Sequence, residues 1–404
     1  MTGKVVAVLG TLDTKGVEFA YLKGLIEAQG VATLVVNVGV IGEPDFVPDI
    51  AAAEIAQAGG VALGDLIAEH DRGRAMAVMS AGAARVIKRL HDEGRIHGAI
   101  AMGGGGGTSI ASAAMRALPV GVPKLLISTM ASGDTRPYVD VKDIAMMPSV
   151  VDIAGINRLS ARIIANAAGA IVGMVKMEPP PLRADKPLIA ATMFGVTTPC
   201  VTKAREVLEQ AGFEVLVFHA TGTGGRTMEE LIRGGYFAGV LDITTTELAD
   251  ELAGGVLSAG PHRLEAAGEF GIPQVVSAGA MDMVNFGPPG SVPDKYRTRR
   301  FYPHNPQVTL MRTTVDENRA LGRQVADKLN RARGPVTFMM PMRGVSLLDV
   351  AGKPFHDPAA DQAFLAALKE HLNPSVALIE LDAEINDERF AVAAATQLLR
   401  SLGK

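Results

Sequence analysis

The chain has 404 residues, 48% of them hydrophobic and 20% charged, with a formal net charge of −4 and no tryptophan. This length predicts two domains, and the apolar content excludes intrinsic disorder. Without a basic surplus, and with 4% aromatics, neither nucleic acid nor membrane is an expected partner. Cys200 is the single cysteine, which rules out an internal disulfide and a cysteine-rich metal site. No signal peptide is read before the first strand and no apolar run reaches transmembrane length, so the expected location is cytoplasmic.

Residues 5–9 read as a buried strand ending in Gly10-Thr11-Leu12-Asp13-Thr14-Lys15-Gly16. A helix over 17–29, a capping Gly30 and a strand over 31–36 follow. Periodicity predicts helix over 51–58 and 63–90. Residues 99–102 form the next strand, and Gly103, Gly104, Gly105, Gly106 and Gly107 come directly after it. Thr108 and Ser109 then read as hydroxyl caps of a small-residue helix over 110–118. A strand over 124–128 runs towards Ser132-Gly133-Asp134-Thr135, and 150–175 reads as mainly helical. Pro179, Pro180 and Pro181 punctuate the chain and place a boundary between domains 1–182 and 183–404.

The pattern then restarts. Sliding Gly30 onto Gly212 sets Val6 on Leu188 and Gly10 on Thr192, with strands and helices in the same order. The halves read as duplicated Rossmann-like α/β domains, each a parallel sheet covered on both faces, with a cleft between them. Further helices over 316–332, 359–372 and 387–402 alternate with strands over 336–340 and 376–381. These either extend the second sheet or return a terminal helix to the first domain.

The chemistry-bearing residues cluster at predicted strand ends. A strand, a glycine turn and a helix start together present free backbone N–H groups to an anion. Seven polar or glycine-rich runs share the carboxyl edge of the sheets, where open α/β folds bind ligands. They are Asp13-Thr14-Lys15, the glycine turn, Ser132 to Thr135, Thr197-Thr198, His219 to Gly225, Thr244 to Glu247, and Ala278 to Asp282. Lys15 reads as a phosphate counter-charge or a solvated first-turn lysine. Gly222-Thr-Gly-Gly reads as a plain turn or a second anion nest. Arg312 could fork onto a phosphate or carboxylate, or pair with an acidic neighbour. Asp13, Asp134, Asp242 and Asp282 are candidate Mg²⁺ carboxylates or simple helix caps. Cys200 follows a turn near a helix start, where a thiol pKa falls, but has no histidine partner and reads as structural. No Gly-Lys-Ser/Thr follows the glycines, so a Walker A loop is disfavoured, as is a clean dinucleotide fingerprint.

Several strings together resemble one family: Gly10-Thr-Leu-Asp-Thr-Lys15, Gly103 to Thr108, Ser128-Thr-Met-Ala-Ser-Gly-Asp134, Met193-Phe-Gly-Val-Thr-Thr198 and Gly279-Ala-Met-Asp-Met-Val-Asn-Phe286. It is a largely uncharacterised bacterial and plant family that includes the ATP-binding amino-terminal region of the tomato mosaic virus resistance protein. The resemblance covers essentially the whole chain and implies a two-subdomain α/β fold and nucleotide binding. In the plant relative it also implies inhibition of viral RNA replication, a role without support in these residues. That relative carries a further barrel domain resembling phosphoenolpyruvate-utilising enzymes, so a separate barrel-domain protein is a candidate partner here.

The leading expectation is a small-molecule site for ATP, with Mg²⁺. It is built from Gly103, Gly104, Gly105, Gly106, Gly107, Thr108 and Ser109, beside Asp13, Thr14, Lys15, Ser132, Gly133 and Asp134. Thr197, Thr198, Thr245 and Arg312 would hold a second, acidic ligand, and a homo-oligomer is expected. Candidate catalytic groups are Asp13, His219, Glu247 and Asp282, with phosphoryl transfer or ligation as the chemistry. Two alternatives stay open. One is a nucleotide-independent enzyme on a sugar acid or other carboxylate, with His219 or Asp282 as acid or base. The other is a non-catalytic ligand-binding regulator.

Overall fold

The computed structural model describes residues 3–178 and 186–404. The chain divides into two compact units, Met1–Pro181 and Leu182–Lys404. The prolines taken as the boundary lie outside the described residues.

The first unit contains β1 (Val5–Gly10), β2 (Ala32–Asn37), β3 (Gly98–Gly103), β4 (Lys124–Ser128) and β5 (Ala145–Pro148). They form one all-parallel sheet in the order β2-β1-β3-β4-β5. β1, β3 and β4 are nearly continuous apolar runs because both sheet faces are covered. Ala7, Leu9, Ala99 and Ala101 face a core closed by residues of helices Ala52–Gly59, Arg72–Asp92 and Gly105–Arg116. Val6, Val8, Ile100 and Met102 face the opposite core, closed by helices Leu12–Glu27 and Arg158–Lys176. Strand order reverses between β1 and β3, so the crevice beyond their carboxyl ends is where this topology receives ligands.

Four local readings change. The helix expected over 63–90 breaks at His70, left-handed at φ 52, and restarts at Arg72 under an Asp71 cap whose carboxylate accepts the Arg74 N–H at 3.0 Å. The helix expected over 150–175 begins only at Arg158, because Asn157 and Ser160 form a reciprocal cap. The chain before it is irregular, with Val150 at φ 64 and Gly155 at φ 75. The partly exposed β5, absent from the expected elements, is only four residues long, too short to register by periodicity. Finally, Arg158–Lys176 does have the length and apolar composition to cross a membrane. Its Asn and Ser residues interrupt any strict apolar run, and its buried face (Ile164, Ala167, Ile171, Val175) packs in the core of the first unit.

The second unit repeats the plan with β6 (Leu188–Met193), β7 (Glu214–His219), β8 (Phe237–Thr244) and β9 (Gln274–Gly279). Next come β10 (Met283–Phe286), β11 (Phe301–Asn305) and β12 (Val308–Arg312), then β13 (Val336–Pro341) and β14 (Ala377–Leu381). The parallel sheet runs β14-β13-β9-β8-β6-β7, and β10-β12-β11 form a separate antiparallel sheet. Counting each sheet's strands from its own amino end, both share the order 2-1-3-4-5, the structural counterpart of the repeat. Gly30 and Gly212 occupy equivalent left-handed positions and donate to Glu27 and Glu209 carbonyls at 2.9 and 3.1 Å. The added strands extend the second sheet. The terminal helix Glu388–Ser401 packs in the same unit, against helix Thr198–Gln210 and strands β8, β9 and β13.

Candidate functional site

The glycine turn is itself the helix start. Gly103 ends β3, Gly104 is the N-cap, and Gly105, Gly106 and Gly107 form the first turn of helix Gly105–Arg116. Thr108 and Ser109 therefore lie inside the helix and do not cap it. Thr108 is fully buried and bonds Ser128 Oγ at 2.6 Å, tying the end of β3 to β4. Ser109 donates back to the Gly105 carbonyl at 2.9 Å. None of the five glycines has a positive φ, so what they supply is space. At Gly103 a Cβ would meet Gly107 Cα at 2.9 Å, whereas at Gly105 it would meet nothing within 4 Å. The first-turn N–H groups have no partner within the helix, and open volume lies beside Gly105.

That volume is a cavity of about 630 Å³ at the β1–β3 switch point. One wall carries Gly104 to Gly107 with Thr11, Asp13, Thr14 and Lys15, and another carries His70, Asp71 and Arg72. Aliphatic and thioether groups (Val40, Ile41, Leu66, Ile67, Met76, Met79) line the remainder. Arg72 is the residue that sequence reasoning missed. Its Nη2 lies 3.8 Å from where a Gly106 Cβ would stand. Its neighbour Arg74 pairs with Glu69 at 3.1 Å, but no ion pair engages Arg72 among the described residues. Arg72 opens a helix with no acidic residue in its first turn, against the macrodipole preference for anions there. The available signal was the His70-Asp71 break inside an apparent single helix.

The other first-unit candidates divide. Asp13 clamps the 39–42 loop, its Oδ2 accepting Ile41 and Gly42 N–H at 2.8 and 3.3 Å. Its buried Oδ1 has no partner. Lys15 lines the cavity, but its ammonium donates to the Ile153 carbonyl. Ser132, Gly133 and Asp134 are exposed and absent from the cavity wall. The Arg136 guanidinium grips Asp134 at 2.7 Å and holds its carboxyl down at about 2.

In the second unit most candidate groups are committed to the fold. The Gly222 nest is filled from within: Glu247 Oε1 accepts Gly222 and Gly225 N–H at 2.7 and 3.0 Å. Its Oε2 takes Arg263 Nε at 2.7 Å, and Arg263 also forks onto Asp242 at 2.5 and 2.7 Å and reaches Glu229 at 3.4 Å. Burial opposes the charge on Arg263, but Asp242, Glu247 and Glu229 hold its pKa well above the usual value. Asp242 thus serves Arg263 and Thr192, an arrangement that leaves it no role as a Mg²⁺ ligand. Thr197 and Thr245 are fully buried, bonding Thr244 Oγ1 at 2.7 Å and the Ser277 carbonyl at 2.8 Å, and Thr198 donates to the Phe194 carbonyl at 3.1 Å. Arg312 adopts the acidic-neighbour alternative, on Asp349 at 3.0 Å and Asp361 at 2.9 Å, with Nε on the Phe355 carbonyl. His219 is exposed at the end of β7 against the Phe194 ring. Cys200 is buried, and burial pushes its thiol up to about 12, opposite to the effect of a helix start. Among the described residues no group of three or more His, Cys, Asp or Glu is placed to hold a metal ion.

Asp282 is fully buried, with Oδ2 accepting from Ser346 at 2.8 Å and Oδ1 unpartnered. Burial raises it to about 6, and burial together with carboxylate neighbours raises Asp349 to about 6 and Asp361 to about 7. Because these folded values exceed the unfolded value near 3.9, their stabilising protons are fully bound below that value and lost as pH rises through 6 to 7. Thermal unfolding scans between about pH 5 and 8 should therefore show the melting temperature falling with pH. Asp361→Asn, permanently neutral, should flatten that slope; an unchanged slope would remove Asp361 from the linkage.

Two doubly wound units in tandem, with an open crevice at the switch point of the first, define a two-domain protein of the Rossmann-like α/β class. Residues 4–180 match the N-terminal domain, and 186–402 the C-terminal domain, of the uncharacterised protein family UPF0261, and the chain belongs to that family. A UPF0261 protein of Clostridium tetani is 55% identical over 402 residues, covering 99% of this chain and 100% of that one. One from Rhizobium meliloti is 50% identical, covering 97% of each. The ToMV resistance protein Tm-1(GCR237) of Solanum lycopersicum is 46% identical over 81% of this chain, which spans 44% of that protein. The family resemblance read from the motifs therefore holds. Among solved structures, a UDP-N-acetylglucosamine 2-epimerase from Rickettsia bellii covers 99% of this chain at 10% identity and a TM-score of 0.25, a likeness too distant to carry an argument.

Proposed function

We propose that the first unit binds a nucleotide, with ATP as the leading ligand. The observation that carries this reading is the glycine first turn, Gly105 to Gly107, on the wall of a cavity, with nothing within 4 Å of a Cβ placed on Gly105 and with an Arg72 guanidinium beside it that makes no ion pair among the described residues. Backbone N–H groups at a helix start and an arginine fork are complementary to phosphate oxygens. The aliphatic wall of Ile41, Leu66, Ile67 and Met79 suits the flat apolar face of a base better than a polyhydroxylated sugar acid, which favours a nucleotide over that alternative. The volume of about 630 Å³ lies within the range of small-molecule pockets. Mg²⁺ would ride mainly on the phosphates and water.

Bound there, the ligand would be positioned by backbone dipoles and Arg72, the electrostatic arrangement that phosphoryl transfer or ligation uses. Asp282 and Glu247, buried and bonded within the second unit, are poor candidates for acid–base work on any substrate. Calorimetry with ATP and Mg²⁺ tests the reading. Arg72→Ala should weaken ATP roughly 10- to 100-fold, the worth of one charge-assisted contact. Its melting temperature should stay unchanged, because Arg72 makes no ion pair among the described residues. Equal affinity in the two proteins would take Arg72 out of the site, and no binding by the unsubstituted chain would overturn the nucleotide reading.

A further inference from the structure

Lys15 serves two neighbours at once. It lines the cavity beside the glycine helix start, while its ammonium donates to the carbonyl of Ile153. Ile153 belongs to the irregular segment joining β5 to helix Arg158–Lys176. Lys15 is also the one residue of helix Leu12–Glu27 with non-helical angles, φ −138 and ψ 26, so a kink carries its side chain.

The segment is anchored at its ends, by the Ser149 N–H on the Ser128 carbonyl at 3.1 Å and by Ser160 Oγ on the Gly155 carbonyl at 3.3 Å, and between them its contacts to the rest of the unit are fewer. Glu18, on the same helix, accepts the Gly155 N–H, Ser149 Oγ donates to the Val151 carbonyl at 2.7 Å, and the Ile153 side chain is buried in the core. Against them stands Val150, left-handed at φ 64 and 73% exposed. A β-branched residue is strained in that region, and such strain persists only while its surroundings enforce it. A strained turn thus sits three residues from a hydrogen bond donated by Lys15, a residue that also lines the cavity.

We propose that Lys15 is a latch: an anion entering the cavity draws its ammonium from the Ile153 carbonyl and frees segment 149–157 to relax. This rests on the nucleotide reading above. A full negative charge attracts an ammonium more strongly than a carbonyl dipole does, and that difference is what shifts the equilibrium. Release would pass directly into helix Arg158–Lys176, whose cap at Asn157 ends the segment.

Hydrogen–deuterium exchange on the intact chain, with ATP–Mg²⁺ or inorganic pyrophosphate and binding followed in parallel by calorimetry, tests the latch. Exchange over residues 150–156 should rise about five-fold or more on saturation. Lys15→Met should show that faster exchange without ligand and gain little more with it. Val150→Gly, which removes the strain without touching the latch, should exchange more slowly than the unsubstituted chain in the saturated state. Bound ligand with unchanged exchange overturns the latch and leaves the nucleotide reading standing. Slow exchange in ligand-free Lys15→Met overturns the latch, and absence of any binding overturns both.

Discussion

Gly105→Val is expected to abolish nucleotide binding while leaving the protein as stable as before. A Cβ at this position meets no protein atom within 4 Å, and the residue sits at the start of helix Gly105–Arg116 with φ outside the left-handed region. Valine is therefore accommodated without strain, and helix propensity favours it over glycine by a few tenths of a kcal/mol. Its branched side chain would fill the volume that a phosphate must enter to reach the first-turn N–H groups. Affinity for ATP should fall at least about 100-fold, or 2.7 kcal/mol, with a melting temperature equal to or slightly above that of the unsubstituted chain. Gly103→Ala supplies the contrast. There the added carbon lies 2.9 Å from Gly107 Cα, so the turn must shift and stability should fall. Undiminished binding by folded Gly105→Val protein would remove the glycine turn from the site.

Arg263→Met should produce the largest loss of stability of any single substitution considered. Arg263 is fully buried, and its five N–H groups are all engaged, by Asp242, Glu247, Glu229 and the Thr244 carbonyl. Removing it leaves carboxylates buried without a counter-charge, which costs about 3–5 kcal/mol. In a domain of this size that corresponds to a fall of roughly 10 °C or more in melting temperature. The damage should spread through Glu247, whose carboxylate orders Gly222 and Gly225, and through Glu229, which holds left-handed Leu264 by its N–H at 2.6 Å. Adding Asp242→Asn and Glu247→Gln should restore part of the loss, because the penalty comes from stranded charge. Denaturant unfolding of the three proteins measures both effects. A loss below about 1 kcal/mol in Arg263→Met, the range of an exposed ion pair, would refute the assignment.

The two units resolve the same topological position differently. In the first, the crevice beyond the carboxyl ends of β1 and β3 is open and lined by backbone donors and Arg72. In the second, Thr192, Thr197, Thr244, Asp242 and Arg263 bond one another at the corresponding β6 and β8 ends. An anion nest whose Gly222 and Gly225 N–H groups are already taken by a buried carboxylate disfavours a second anion there. Among the described residues the open candidate phosphate site therefore lies in the amino-terminal unit.

Much of this was legible in the residues. Apolar runs followed by glycine located β1, β3 and β6, an apolar run after Val122-Pro123 located β4, and Gly30 and Gly212 marked the repeat, because strand burial and helix termination act over a few residues. The helix over 63–90 and the start of 150–175 were misread for the converse reason. An Asp71 cap and an Asn157–Ser160 cap are single hydrogen-bonded events that periodicity averages away. Arg263 sits among Gly, Ala and Pro with no pattern around it, so nothing nearby announces that it neutralises three acids.

The order of residues alone determined the class of fold, its doubling, and a strand, glycine turn and helix in succession at 99–118, since each follows from backbone conformation and short-range burial. That the helix begins at Gly105 and not after Ser109 came from the structure. Only the tertiary structure decided that Arg72, without an ion pair among the described residues, lines the first unit's cavity while the Lys15 ammonium is engaged by Ile153, and that Arg312 and Glu247 are spent on the interior. Those outcomes depend on which charges meet across the sheet edge, and Coulomb and hydrogen-bond energies are set by distances in space that separation along the chain does not encode.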